Sequence, residues 1–123
     1  MALSAAFLTF LPFRSVETVS FFDVRFLNNP YFVKALKHKT GRSTAVQKYI
    51  LADPETGTFF SRTERYLYDV LERHRVKGKP FVTIAFGCTG GKHRSDFVVE
   101  RFKSILSAKF KQIKTYHRDI VAE

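Results

Sequence analysis

Cysteine is nearly absent from this sequence, which has one, Cys88, among 123 residues. A lone cysteine excludes an internal disulfide, and a chain without a disulfide framework is typical of a reducing compartment. Glycine and proline are also sparse, at six and four residues. No repeat or low-complexity segment marks a linker. The sequence therefore predicts a cytoplasmic protein with one domain over residues 1–123, a length at which a single core can be stable.

Long hydrophobic runs are missing as well. The most apolar segment, Met1–Phe13, has no basic residue before it, and Pro12 and Arg14 end it before it could span a membrane. We interpret this segment as a buried first strand and expect no membrane association. Apolar residues make up 45% of the chain and 14 residues are Phe, a composition typical of a packed core.

Acidic residues are few, at 11 against 21 Lys and Arg, which gives a net charge of +10. The excess is concentrated in two stretches. Residues 31–50 hold five basic and no acidic side chains, and residues 81–123 hold eight basic and four acidic ones. A local excess of this kind is typical of a polyanion partner such as nucleic acid, although basic proteins without such a partner also exist.

Four segments rich in β-branched and aromatic residues predict strands. The third is apolar almost throughout, as a central strand covered on both faces should be. The second has one polar face, because Asp23 and Arg25 alternate with apolar residues. The predicted strands are residues 4–11, Ser20–Phe26, Phe81–Phe86 and Gln112–His117.

Helices are predicted between these strands. Thr44 with Gln47, and Ser61 with Glu64, have the form of capping boxes. The predicted helices are Ala45–Ala52, one from Ser61 to the stop at Gly78 and Pro80, and one from Gly91 to Lys109 with Asp96 facing outward. The order β, β, α, α, β, α, β predicts an α/β fold: a single small domain with a mainly parallel sheet of about four strands flanked by helices.

The segment Phe81–Ser95, FVTIAFGCTGGKHRS, carries the clearest functional signal. A buried strand leads into a glycine-rich turn and then directly into an amphipathic helix. Glycines let backbone N–H groups converge on an anion, and a helix N-terminus adds free N–H groups and a partial positive charge. We predict an anion or phosphate site formed by Gly87, Cys88, Thr89, Gly90, Gly91, Lys92, His93, Arg94 and Ser95.

The cations at the start of this third helix strengthen that prediction. Lys92, His93 and Arg94 lie where the helix dipole disfavours positive charge unless an anion is bound. We expect Arg94 and the backbone N–H groups of Gly90 to Lys92 to hold the phosphate. The alternative is a plain tight turn followed by solvated basic residues.

The same letters match a second pattern, Cys88-x5-Arg94-Ser95, which is that of the cysteine phosphatases. In those enzymes a thiolate attacks phosphorus while the arginine holds the phosphoryl oxygens. Gly87 stands where they commonly have histidine, and no loop obviously supplies the general acid that turnover requires. A non-catalytic phosphate-binding loop is the interpretation we favour, and a phosphatase is the alternative.

Two further groups of residues could join the anion site. In a parallel sheet, ligands lie beyond the carboxyl ends of the strands. Arg25, Asn29 and Tyr31 lie at the end of the second strand, although Asn29-Pro30 is equally an ordinary turn and Asp23–Arg25 equally a surface pair. His117 and Arg118 end the last strand, and a frayed basic terminus is the alternative there. Neither histidine spacing nor the single cysteine predicts a metal site, and no cofactor is expected.

These residues also resemble a known family. The segments FDVRFLNNPY at Phe22–Tyr31, Thr40-Gly41, and GCTGGKHRS at Gly87–Ser95 with the later YHRD are similar to the C-terminal domain of the RapZ family of bacterial RNase adapter proteins. The resemblance covers about residues 20–119.

The resemblance implies a function without catalysis. The domain in that family binds RNA, small regulatory RNA in particular, and an amino-sugar phosphate, and the full protein presents RNA to an endoribonuclease. It implies ligand contacts on Cys88, Thr89, Gly90, Lys92, His93 and Arg94, with Arg25, Asn29, Tyr31 and His117 around them. The family's preceding P-loop domain is not visible in this sequence, so we expect a domain standing alone. Its expected protein partner is an endoribonuclease or a separate P-loop protein, and self-association is left open.

Overall fold

The structure is a computed structural model that describes residues 3–10, 18–78, 82–89, 93–111 and 113–117. Its strands are β1 Leu3–Phe10, β2 Thr18–Asp23, β3 Val82–Thr89 and β4 Ile113–His117. Its helices are α1 Thr44–Leu51, α2 Pro54–Val76 and α3 Arg94–Leu106, preceded by a 3-10 helix at Pro30–Phe32. None of the helices in these ranges is long and apolar enough to cross a membrane.

The four strands form one sheet in the order β2-β3-β1-β4. β2 pairs with β3 in parallel, with Asp23 opposite Gly87. β1 lies between β3 and β4 and runs antiparallel to both. The predicted α/β class and sheet of about four strands are confirmed.

The expectation of a mainly parallel sheet holds for strand direction but not for pairing. β2, β3 and β4 point the same way, whereas both pairings of β1 are antiparallel. An apolar run predicts burial on both faces of a strand and carries no information on its direction. The sequence pattern therefore could not show that the first strand is inserted in reverse at the centre.

The hydrophobic core lies between one face of the sheet and the helices. Phe86 of β3 stacks on Phe22 of β2 and on Phe102 of α3, with ring centroids 5.4 Å apart in both pairs. Phe60 of α2 closes the cluster against Phe102, 4.9 Å away, and against Phe97. Aromatic packing of this kind fixes the position of α3, whose first turn forms part of the candidate site.

β2 ends at Asp23, three residues before the predicted end at Phe26. The Val24 N–H still donates to Gly87 O at 2.8 Å, and the Leu27 N–H then turns back to Val24 O at 3.2 Å. Val24 and Leu27 are both buried in the core. The alternation therefore stops at Val24: Phe26, the next apolar residue in the pattern, is exposed, and the turn buries Leu27 instead.

Both predicted capping boxes are wrong. Ser43, not Thr44, is the N-cap of α1, and the Gln47 side chain donates to Gly41 O at 3.1 Å. α2 begins at Pro54, seven residues before Ser61. The Asp53 carboxylate accepts from the Glu55 N–H at 3.0 Å, and proline suits the first helical position because its N–H would be unpaired there.

α3 is shorter than predicted and begins at Arg94. Its first turn is buried, including Asp96, which has no solvent exposure. The prediction that Asp96 faces outward is therefore wrong, since the loop before α1 covers that side of the helix. Helical periodicity locates an apolar stripe but does not show which loops cross a helix end.

Candidate functional site

The carboxyl ends of three strands lie at the same end of the sheet, which we call the carboxyl edge. β2 ends at Asp23, β3 at Thr89 and β4 at His117, and the three strands run in the same direction. α3 begins five residues after β3, directly beyond this edge. Such an edge is where open α/β sheets bind ligands.

Cys88 lies on the helix-facing side of β3 and is 1% exposed. Its thiol lies 3.2 Å from Ser95 Oγ, to which it donates, and its sulfur accepts from the Ser95 N–H at 3.4 Å. Ser95 is in the first turn of α3, where backbone N–H groups have no helical acceptor. Cys88 therefore acts as a cap for α3 from inside the core.

Gly87 lies on the opposite side of the strand, beneath the ring of Phe21. A Cβ added at Gly87 would lie 2.5 Å from Phe21 Cζ. A bulkier side chain before the cysteine, such as the histidine of the phosphatase pattern, would have to displace that ring. Packing against Phe21 is thus one reason for a glycine at position 87, in addition to the space that a bound anion would require.

Arg94 is 4% exposed, and its guanidinium points away from bulk solvent. Nη1 donates to Arg25 O at 2.6 Å and to Leu27 O at 3.5 Å. Burial lowers the pKa of Arg94, while the nearby Cys88 and Asp23 oppose that shift. Arg94 therefore ties the turn after β2 to the first turn of α3. That Arg94 also holds a phosphate stays a prediction.

Arg25 is exposed and paired with Asp23, as one of the two sequence interpretations had it. Arg25 Nη2 lies 2.6 Å from Asp23 Oδ2, and the Arg25 N–H and Nε both donate to Oδ1 at 3.0 Å. The carboxylate thus orders the turn whose carbonyls bind Arg94. Arg25 lies at the predicted edge of the sheet, already engaged with a negative charge.

The Asp23–Arg25 pair predicts a shifted titration. Side-chain and backbone hydrogen bonds from Arg25 lower the pKa of Asp23 below its usual 3.8. The ionised carboxylate therefore contributes stability above about pH 4, and the contribution is lost as pH falls through the lowered pKa. We expect the Asp23 side-chain carbon resonance to titrate below pH 3.8 by NMR. In Arg25→Ala the midpoint should rise; an unchanged midpoint would contradict the pairing.

The loop before α1 contacts the first turn of α3 from another side. A Cβ on Gly41 would lie 2.9 Å from Phe97 Cα and closer still to His93 O and Phe97 N. Arg42 Nε lies 3.4 Å from the buried carboxylate of Asp96. Asp96 was not among the predicted site residues and Arg42 only counted among the basic residues of 31–50, so the Thr40-Gly41 pair was the only sequence signal for this contact.

Asn29 and Tyr31 follow the turn after β2, on the 3-10 helix. Asn29 Oδ1 accepts from the Tyr31 N–H at 3.1 Å, so Asn29 caps this helix as in an ordinary turn. Tyr31 is exposed, and Lys37 Nζ lies 4.7 Å from its ring centroid. Since Arg94 holds one end of the segment and Gly41 the other, residues 28–40 are tied beside α3.

The remaining predicted site residues divide into three groups. His93 and Ser95 are buried at the start of α3, and Thr89 is half-buried at the end of β3. His117 pairs through its backbone with Ala6 on β1, one strand away from β3. Outside the described residues lie Gly90, Gly91, Lys92 and Arg118.

Comparison with known proteins supports the motif resemblance. The sequence profile described as the RapZ C-terminal domain matches residues 4–121. A protein named "Nucleotide-binding protein" from Halothermothrix orenii is 46% identical over 99 residues, which cover 80% of this chain and 35% of the relative. A protein of the same name from Endomicrobium trichonymphae is 43% identical over 100 residues, which cover 81% of this chain and 35% of the relative.

A third relative, from Koribacter versatilis and also named a nucleotide-binding protein, is 45% identical over 98 residues, covering 80% of this chain and 32% of its own length. The chain thus spans about a third of the curated relatives it matches. The profile match takes in every described strand and helix except the first residue of β1. The chain belongs to the RapZ C-terminal domain family.

Proposed function

We propose that this chain is a non-catalytic domain that binds RNA and senses an amino-sugar phosphate, in the manner of an RNase adapter. The observation that carries the proposal is the joining of two loops to one helix start. Arg94 binds the turn after β2, and Gly41 packs the loop before α1 onto the first turn of α3. Both loops thereby contact the start of the helix that follows the glycine-rich motif in the sequence.

The charge of these loops favours an anionic ligand. Residues 31–50 contain five basic side chains and no acidic one. Lys34, Lys37 and Lys39 are exposed. A positively charged loop tied to a helix N-terminus is complementary to the phosphates of RNA and of a sugar phosphate.

Affinity for a structured RNA should fall steeply with salt. A surface that neutralises about four phosphates gives a slope of about −3 in log affinity against log salt. We expect Lys34→Ala to reduce the magnitude of this slope by about 1, since one phosphate contact is lost. Fluorescence anisotropy with a labelled RNA hairpin at several salt concentrations measures this slope.

The matched control is Lys77→Ala, which removes one exposed lysine from the C-terminal end of α2. Its slope should equal that of the unmodified chain. A flat salt dependence for the unmodified chain would remove RNA from the proposal. Calorimetry with glucosamine-6-phosphate, with glucosamine as the phosphate-free control, tests the sugar-phosphate part separately, and competition between the two ligands would place them at one site.

The alternative of a cysteine phosphatase has less support from the geometry. A nucleophilic thiolate must reach its substrate, whereas the Cys88 sulfur is buried and bonded to Ser95. The relatives' name describes proteins of which this chain matches about a third, so nucleotide binding is not part of the proposal. The single thiol fits a reducing compartment, and we place the domain in the cytoplasm.

A further inference from the structure

Two adjacent aromatic rings, Tyr31 and Phe32, stand on the surface. Tyr31 is 52% exposed and Phe32 is 82% exposed. Their centroids are 5.7 Å apart and their planes differ by 84°, which is an edge-to-face arrangement. We name this pair the aromatic platform. A single exposed apolar side chain is common on protein surfaces, so the platform gains meaning only from its surroundings.

The backbone beneath the platform is ordered. The Phe32 N–H donates to Asn29 O at 3.2 Å and the Val33 N–H to Pro30 O at 3.0 Å. Pro30 and Leu36 on either side are buried. The backbone that carries the rings is therefore held in place before a ligand arrives, which reduces the conformational entropy that binding would cost.

The charge around the platform matches a polyanion. Lys34 and Lys39 lie close to it in sequence, and Lys37 Nζ stands over the Tyr31 ring. An apolar protein surface would pack against the rings but would offer the lysines no negative charge. Paired RNA would offer phosphates to the lysines but would keep its bases stacked inside the duplex. Unpaired nucleotides offer both a flat base for a ring and a phosphate for a lysine.

We propose that the aromatic platform binds unpaired nucleotides of RNA, with a base stacked on Phe32 and the adjacent phosphates held by the neighbouring lysines. This proposal rests on the proposed function, because it assumes that the domain binds RNA. It adds the class of RNA, single-stranded loops and ends, and a residue that distinguishes them from duplex.

The test compares Phe32→Leu with Phe32→Trp in the 123-residue chain. Leucine retains apolar volume without a ring, whereas tryptophan retains a stacking surface. The probes are a labelled RNA hairpin with an unpaired loop and a blunt RNA duplex. For Phe32→Leu we expect the dissociation constant for the hairpin to rise about 5- to 150-fold. Binding of the duplex should be unchanged, and Phe32→Trp should bind the hairpin like the unmodified chain.

Each other outcome has a distinct meaning. If Phe32→Leu binds the hairpin as well as the unmodified chain does, or weakens hairpin and duplex equally, the platform proposal is overturned while RNA binding stands. If the unmodified chain binds neither RNA, the proposed function fails with it. Binding to vesicles of phosphatidylglycerol is measured as a third comparison. If Phe32→Leu loses vesicle binding but keeps hairpin binding, the platform binds a membrane surface and the proposal is overturned.

Discussion

Replacing Arg94 with alanine is expected to lower the free energy of unfolding by about 3 kcal/mol. The guanidinium is buried and donates to Arg25 O and Leu27 O. Hydrogen bonds from a charged donor contribute about 1.5–3 kcal/mol, and their loss also leaves carbonyls without this donor and a cavity beside the helix. Urea denaturation followed by circular dichroism measures the difference.

The matched control is Lys103→Ala, which removes one positive charge from the same helix at an exposed position. Its effect should stay within about 0.5 kcal/mol. An Arg94→Ala chain as stable as the unmodified one would contradict the role of Arg94 in tying the turn after β2 to α3.

This prediction changes how a binding experiment on Arg94 must be interpreted. From the sequence, loss of ligand in Arg94→Ala would identify an anion contact. In the structure the same substitution also releases the turn that contains Arg25, so ligand affinity and stability should fall together. Asp23→Asn provides the comparison, because it weakens the bond to Arg25 from the exposed side while Arg94 keeps its own charge.

The central part of the fold could be predicted because its local signals agree. Phe81–Phe86 is apolar except for Thr83, glycines follow it, and an amphipathic helix follows the glycines. The structure has β3 and α3 in this order, although α3 begins later, at Arg94. Strand, turn and helix are adjacent in sequence, so no distant contact was needed to infer them.

The start of α2 shows why capping patterns alone mislead. Ser61 and Glu64 have the spacing of a capping box, yet they lie inside the helix. Asp53 and Pro54 directly follow Ala52, where the preceding helix is predicted to end. The same two residues begin the next one, because aspartate accepts from a free N–H and proline has none to lose. A stop signal and a start signal can therefore coincide.

The roles of Cys88 and Arg94 could not be predicted because they depend on side-chain contacts that the sequence does not show. Cys88 is seven positions from Ser95, and Arg94 is 69 positions from Arg25. A motif shows that these side chains are adjacent in sequence to a glycine turn. It does not show which of them face the core, since that depends on the loops that close over the helix start.

Replacing Gly41 with alanine is the second large expected effect, a loss of about 3 kcal/mol in the free energy of unfolding. An added Cβ would meet the backbone of His93 and Phe97, and backbone atoms cannot rotate aside as a side chain does. Overpacking of this kind typically costs 1–3 kcal/mol, and a rigid neighbour places Gly41 at the upper end. Thermal and urea unfolding both measure the loss.

Gly57→Ala is the matched control, because it adds the same methyl group inside α2 with nothing within 4 Å. It should stabilise the chain by about 0.5–1 kcal/mol, since alanine loses less conformational entropy than glycine in a helix. Equal effects of the two substitutions would contradict the close approach at Gly41.

The Gly41 substitution also tests whether the loops and the helix start act as one site. Displacing Gly41 should move Arg42 away from Asp96 and loosen the segment that carries the aromatic platform. If these loops bind RNA together, Gly41→Ala should weaken hairpin binding even at a temperature where the chain is still folded. A folded Gly41→Ala chain with unchanged affinity would show that the platform binds independently of the start of α3.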